Sequence, residues 1–166
     1  MLGKTLCMLG LVCCLAVVLM FDFVAVIPKF GSEHFGAPEE IKAFAKGLPE
    51  KPWYVNLLGV LLFLGGFAGV AAVLVWAVRD SLRENLRFWE VFLRFFVILV
   101  GYKCFDIVVF DWLMLTKWKL PLKIYPETAG SAAYSSFGFN RKSQTLKLIL
   151  FTGLSLVIAF VLTRFF

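Results

Sequence analysis

The sequence predicts an all-α membrane protein, a bundle of four transmembrane helices, and three observations predict it. Apolar residues make up 61% of the 166 positions and charged residues 17%, against about 45–50% and about 25% in soluble chains. Mean hydropathy is +0.87. The apolar residues gather into four runs, Thr5–Ile27, Trp53–Val78, Val91–Leu115 and Leu146–Thr163, each close to the ~20 residues a helix needs to cross a hydrocarbon core. Trp53, Trp76, Trp89, Trp112 and Trp118 fall within a few residues of the run ends, where interfacial aromatic belts lie. One transmembrane domain over residues 1–166 is expected, with no separate soluble domain.

The first run follows Lys4 and imitates a signal peptide. It is longer than the ~7–15-residue signal core and lacks a small-x-small site near its end, so a retained helix is expected. Val12 stands where a lipoprotein site at Cys13 would need a small residue. Cys7, Cys13, Cys14 and Cys104 all lie inside runs with no C-x-x-C, and are expected to pack as small apolar residues. The net charge of +6 sits between apolar runs, where it suits anionic headgroups and not nucleic acid.

The first connection, Pro28–Pro52, balances four Lys against four Glu. Ala37-Pro38-Glu39-Glu40 reads as a helix start, with Gly47 and Pro49 ending a short interfacial helix. In the second connection, Ser81 and Glu84 have capping-box spacing, predicting that Ser81 caps the third helix and that this helix begins near Leu82. Asp80, Arg83, Glu84, Arg87, Glu90 and Arg94 then share one face, with Glu90 and Arg94 a favourable i,i+4 pair. The third connection, Thr116–Thr145, is expected to form an ordered lid, extended over Leu120–Pro126 because proline disfavours helix at the preceding residue.

The first and third connections hold ten Lys and Arg, with Lys147 counted in the latter, against six in the N-tail, the second connection taken through Arg94, and the C-tail. Lys4 with its α-amine and the dense Arg79–Arg94 cluster oppose that count, and assign both ends to the cytoplasmic side.

Asp22, Lys103 and Asp106 are the candidate intramembrane polar cluster. Buried ions cost about 2.5–3.5 kcal/mol each on insertion scales, so they pair or face a polar cavity. Such a cluster either carries a proton, ion or substrate or locks helices together. Gly65, Ala68, Gly69 and Ala72 form a small-residue seam on the second helix, and Gly3, Cys7, Gly10 and Cys14 a similar stripe on the first. Both are expected to pack against a helix of this chain or of another. Phe21-Asp22-Phe23-Val24 returns as Phe105-Asp106-Ile107-Val108, an echo that would make the chain two helical hairpins of the same orientation. Enzyme signatures are sparse: His34 is the lone histidine, there is no H-E-x-x-H and no G-x-S-x-G, and neither metal nor cofactor is expected. Glu33, His34, Glu39 and Glu40 are read as solvated loop residues.

Phe105–Leu113 with its Asp111-Trp112-Leu113 end, Pro126-Glu127-Thr128-Ala129-Gly130, Tyr134 and Phe137-Gly138-Phe139 are similar to the motifs of a family of small microbial four-helix membrane proteins. The likeness covers about the last sixty residues. Glu127 stands where that family has Gly, and Asn140 where it has His. The resemblance implies the four-helix fold and the cytoplasmic (inner) membrane of a microbe, and no activity.

Two function classes remain. The first is a non-enzymatic accessory or assembly subunit, or a small transporter-like unit, with membrane lipids and a second copy or another membrane protein as partners. The other is a membrane-embedded enzyme acting on a lipid headgroup through Asp106, Asp111 or Glu127.

Overall fold

A computed structural model describes residues 1–34, 39–131, 134, 135, 138 and 140–165. Every regular element among them is helical. Helix α1 (Leu2–Phe21) runs into a π-helical segment, Asp22–Val26. Helices α2 (Pro28–His34) and α3 (Glu39–Gly47) fill the first connection, and α4 covers Trp53–Arg83. Helix α5 (Phe88–Phe105) runs into a second π segment, Asp106–Lys117, followed by α6 (Leu120–Ile124), a 3-10 turn (Pro126–Thr128) and α7 (Arg141–Phe165).

Among the described residues three helical stretches are long and apolar enough to cross a membrane, as an integral membrane protein requires: Leu2–Val26, Trp53–Arg83 and Arg141–Phe165. The expected span Val91–Leu115 is helical but of another character. Its α-helical part carries Arg94 and Lys103, and the rest is wound as π-helix. Backbone and side-chain bonds five residues back mark that winding. Ile27 N–H donates to the Asp22 carbonyl at 2.9 Å, Trp118 N–H to that of Leu113 at 2.7 Å, and the Thr116 hydroxyl to that of Asp111 at 2.9 Å.

The chain divides into two compact units. The first comprises Met1–Leu15, Phe67–Phe105 and Lys142–Phe166. Its core takes Met8 and Val12 from α1, Val73 and Ala77 from α4, Val91, Phe95 and Ile98 from α5, and Ala159 and Leu162 from α7. Leu9 lies against Gly101 and Leu15 against Gly69, where a Cβ would meet the leucine methyls at about 3 Å, as close helix approach demands. Thr152, Ser155 and Thr163 of α7 donate to carbonyls four residues back, which satisfies their hydroxyls without a neighbour.

Arg94 is the largest fully buried side chain, with no exposed surface. Its guanidinium meets Asp80 at 2.9 Å and Glu84 at 3.1 Å, and donates to the Ser81 hydroxyl at 3.0 Å. Lys4 reaches the same carboxylates, at 2.8 Å to Asp80 and 2.7 Å to Glu84. Two cations therefore face two carboxylates, and α1, α4 and α5 are tied at one level. The hydrogen bond from Lys4 holds the Glu84 carboxyl below its ordinary range, against the opposing pull of desolvation.

This network corrects the expected cap. Ser81 lies inside α4, its hydroxyl donating to the Ala77 carbonyl at 2.7 Å while it accepts from Arg94. The break comes at Asn85, which takes a left-handed conformation (φ 47°). Leu86 N–H reaches the Ser81 carbonyl at 3.1 Å and Asn85 N–H the Leu82 carbonyl at 3.2 Å, the paired bonds of a Schellman C-cap. Helix α5 then opens on the reciprocal bond of a capping box, with Arg87 N–H donating to the Glu90 carboxylate at 2.8 Å.

The second unit comprises Ala16–Gly66 and Asp106–Arg141. Helix α2 packs against the first π segment, where a Cβ on Gly31 would sit 2.4 Å from that of Phe23, so only glycine fits. Helix α3 packs on α2 with Ala45 buried, and Phe44 faces Tyr125 at 5.6 Å between ring centres. The expected start of α3 at Ala37-Pro38 lies outside the described residues. Leu120–Ile124, expected to be extended, forms α6, because Pro121 occupies the first turn, where its missing N–H costs nothing.

Arg94→Ala should destabilise the protein by roughly 3–5 kcal/mol, since it leaves buried carboxylates short of their partner. Lys4→Gln, at a half-exposed side chain, should cost no more than about 1 kcal/mol. Thermal unfolding in detergent micelles measures both, and equal costs would contradict the network as described. By the same assay Asn85→Gly should lie within about 1 kcal/mol of wild type, and Asn85→Val should lose about 1–2 kcal/mol through left-handed strain.

Candidate functional site

Asp22 belongs to the buried stripe of α1. Thr5, Met8, Val12, Ala16, Leu19 and Asp22 recur at spacings of three and four, the period of one helix face, and all are buried. The five apolar or hydroxyl positions pack without penalty. Asp22 is only 1% exposed, and neither of its carboxylate oxygens has a hydrogen-bond partner among the described residues. Such a group forfeits its hydration and receives nothing in exchange.

The room for the carboxylate is made by Gly59 of α4. A Cβ there would stand 3.3 Å from Asp22 Oδ1, 3.2 Å from Val26 and 2.3 Å from Ile27. Gly66, one heptad on, receives Leu19 in the same way, with the leucine 2.6 Å from a would-be Cβ. The seam of α4 in this unit is therefore built on Gly59 and Gly66.

Just beyond Asp22 the backbone is held in place from outside the helix. The Tyr125 hydroxyl donates to the Val24 carbonyl at 3.0 Å, and the Lys51 ammonium donates to the Ala25 carbonyl. Both partners meet orphan carbonyls at a helix C-terminus, where a cation also answers the macrodipole. Burial pushes the Tyr125 hydroxyl above its usual range, which keeps it a neutral donor. Tyr134 is likewise raised by burial, and it shares a 2.6 Å hydrogen bond with Thr128.

The other predicted residues distribute as follows. Asp106 is in the same unit as Asp22, half-buried, and like Asp22 it is the first residue of a π segment. The Phe-Asp-x-Val echo thus marks both switches from α- to π-winding, a winding that is rare and often functional. Lys103 is buried in the last turn of α5, in the first unit. Both Lys103 and Asp106 are engaged in interactions of their own.

Gly65, Ala68 and Ala72 are exposed, and nothing among the described residues lies within 4 Å of a Cβ on Gly65. Gly69, by contrast, packs against Leu15 within the chain. Gly3, Cys7, Gly10 and Cys14 are exposed as well.

Asp111 accepts from the Asn140 amide at 3.2 Å, which joins two motifs read in the sequence. Glu127 is exposed. Glu33 pairs with Lys46 at 3.6 Å, Glu39 with Lys42 at 2.6 Å, Glu40 accepts from Ser131, and His34 stacks on Phe30. Among the described residues no three His, Cys, Asp or Glu side chains converge as a metal site.

Sequence reasoning found Asp22 but missed Gly59, Lys51 and Tyr125. Continuing the α1 stripe at three- and four-residue spacing to Asp22 is the signal that marks it as buried.

Gly59→Ala should cost about 1–3 kcal/mol by overpacking against Ile27 and the carboxylate. Adding Ile27→Ala should restore part of that loss. A double-mutant cycle on thermal unfolding measures the coupling, and strictly additive effects would deny the contact.

Matched against known protein families, curated proteins and solved structures, the chain has no counterpart, so its function is read from the geometry of its own residues.

Proposed function

We propose that the chain is a small transporter-like membrane unit of four spans in which Asp22 takes up and releases a proton. One observation carries this reading: a carboxylate with 1% exposure and no hydrogen-bond partner among the described residues, set in an apolar stretch fit to cross a membrane. An ionisable residue in such a place is expensive and is functional by default. A metal ion needs several oxygen ligands. A proton needs one, which suits a carboxylate standing apart from other ligands. The π turn at Asp22 adds support, because winding of this kind costs stability and recurs at functional sites. The helical run from Phe88 to Lys117 supplies the fourth span, with Arg94 and Lys103 buried within it.

A second reading has its own support. The exposed Gly65, Ala68 and Ala72 form a surface on which another membrane helix can approach closely, as an assembly subunit or a second copy requires. The enzyme alternative is weaker, since Asp111 is held by Asn140 and Glu127 is exposed.

Reconstitution into liposomes holding a pH-sensitive dye, with an imposed membrane potential, tests the proton reading. Wild type should acidify or alkalinise the lumen with the sign of the potential, and Asp22→Asn should abolish the flux. A hydrophobic carbodiimide, which adds to a protonated carboxyl and rearranges to a stable N-acylurea, should label Asp22 above every other acid. Equal flux in the variant, together with labelling elsewhere, would end this reading and leave the assembly subunit.

A further inference from the structure

Beside the first π segment, the second unit contains a groove of about 420 Å³ that the proton reading does not use. Val60, Phe63 and Leu64 of α4, with Phe30 of α2, give it apolar walls. Lys29, Lys51 and Asn56 line it as well. On α4 the polar and apolar ends are ordered along the helix: Asn56 lies one turn from Val60 and two from Leu64, about 12 Å at about 1.5 Å per residue. Trp53, the first residue of α4, is 76% exposed, as an interfacial anchor is. The groove therefore has its polar mouth at headgroup level and its apolar length alongside the acyl chains.

We infer that this groove binds one anionic glycerophospholipid, its phosphate at Lys29, Lys51 and Asn56 and an acyl chain along Val60, Phe63 and Leu64. Charge complementarity commits it to an anionic headgroup. Lys29 and Lys51 are among its lining residues with one carboxylate, Glu50, which pairs with Lys29. An ammonium has three donors. Lys29 spends one on Glu50 and Lys51 one on the Ala25 carbonyl, which leaves donors on each for a phosphate. The same Lys51 caps the helix that carries Asp22, so the lipid would rest against the residue that holds that helix end in place. The site depends on the membrane location of the chain and not on proton movement.

Native mass spectrometry of the protein in mild detergent tests the site, with dioleoylphosphatidylglycerol and dioleoylphosphatidylcholine as competing probes. Wild type should retain one phosphatidylglycerol in preference to phosphatidylcholine. Lys29→Gln should weaken that retention about fivefold. Val60→Trp should fill the apolar length and remove it. Asp22→Asn should leave it unchanged, which separates this site from the proton reading. Equal retention of the two lipids, undiminished retention in Lys29→Gln and Val60→Trp, or displacement by millimolar inorganic phosphate would each overturn the inference.

Discussion

A polar group buried in an apolar helical protein has to find its partners within the protein, and Arg94 meets that constraint in full view. Its guanidinium has no exposed surface and is answered by Asp80, Glu84 and the Ser81 hydroxyl, with Lys4 completing the charge balance. Much of the first unit follows from this. The chain cannot end α4 at Ser81, because that hydroxyl is already committed, so the helix continues to Arg83 and closes through Asn85. Helix α5 then begins where Arg94 can reach back, two turns into its length. A network of this kind fixes register more than it adds stability, since removing both charges together is often nearly neutral whereas removing one is not.

Asp22 breaks the same rule. It occupies the next position of a stripe that is otherwise packed without penalty, and the neighbouring structure leaves it room while supplying no donor. Gly59 withholds a side chain where one would fill the space. Tyr125 and Lys51 satisfy the carbonyls just beyond it and not the carboxylate. The arginine is paired with two carboxylates and a hydroxyl, whereas neither oxygen of the aspartate has a hydrogen-bond partner among the described residues.

The small residues sort in the same way. Gly59, Gly66, Gly69 and Gly101 face a leucine or isoleucine and permit close helix approach. Gly3, Gly10 and Gly65 have open space before them. Glycines of the second kind do nothing for the packing of a single chain, and with Ala68 and Ala72 they mark the surface on which the assembly reading rests. The two proposals therefore use different parts of α4: the lipid proposal the groove at Phe63 and Leu64, and the assembly reading the face at Gly65.

The sequence by itself determined the membrane class, the long apolar runs that become α1, α4 and α7, and the residues worth attention. Long apolar runs ended by tryptophan are local facts that need no tertiary knowledge, and an aspartate in such a run is conspicuous wherever it sits. The period of the α1 stripe even carries the burial of Asp22. What only the tertiary structure decided was rotation and partnership. A helix turned by one residue, about 100°, presents Gly66 in place of Gly65, and nothing in a run rich in small residues distinguishes the two. Ser81 with Glu84 satisfies the spacing of a capping box, yet Arg94, thirteen residues on, claims the hydroxyl. The α-to-π switches at Asp22 and Asp106 were visible only as a repeated tetrapeptide, because winding depends on how backbone carbonyls are shared, and composition does not record that. Lys51 and Tyr125 come to the end of the first helix from residues 26 and 101 positions away, contacts that only the folded chain creates.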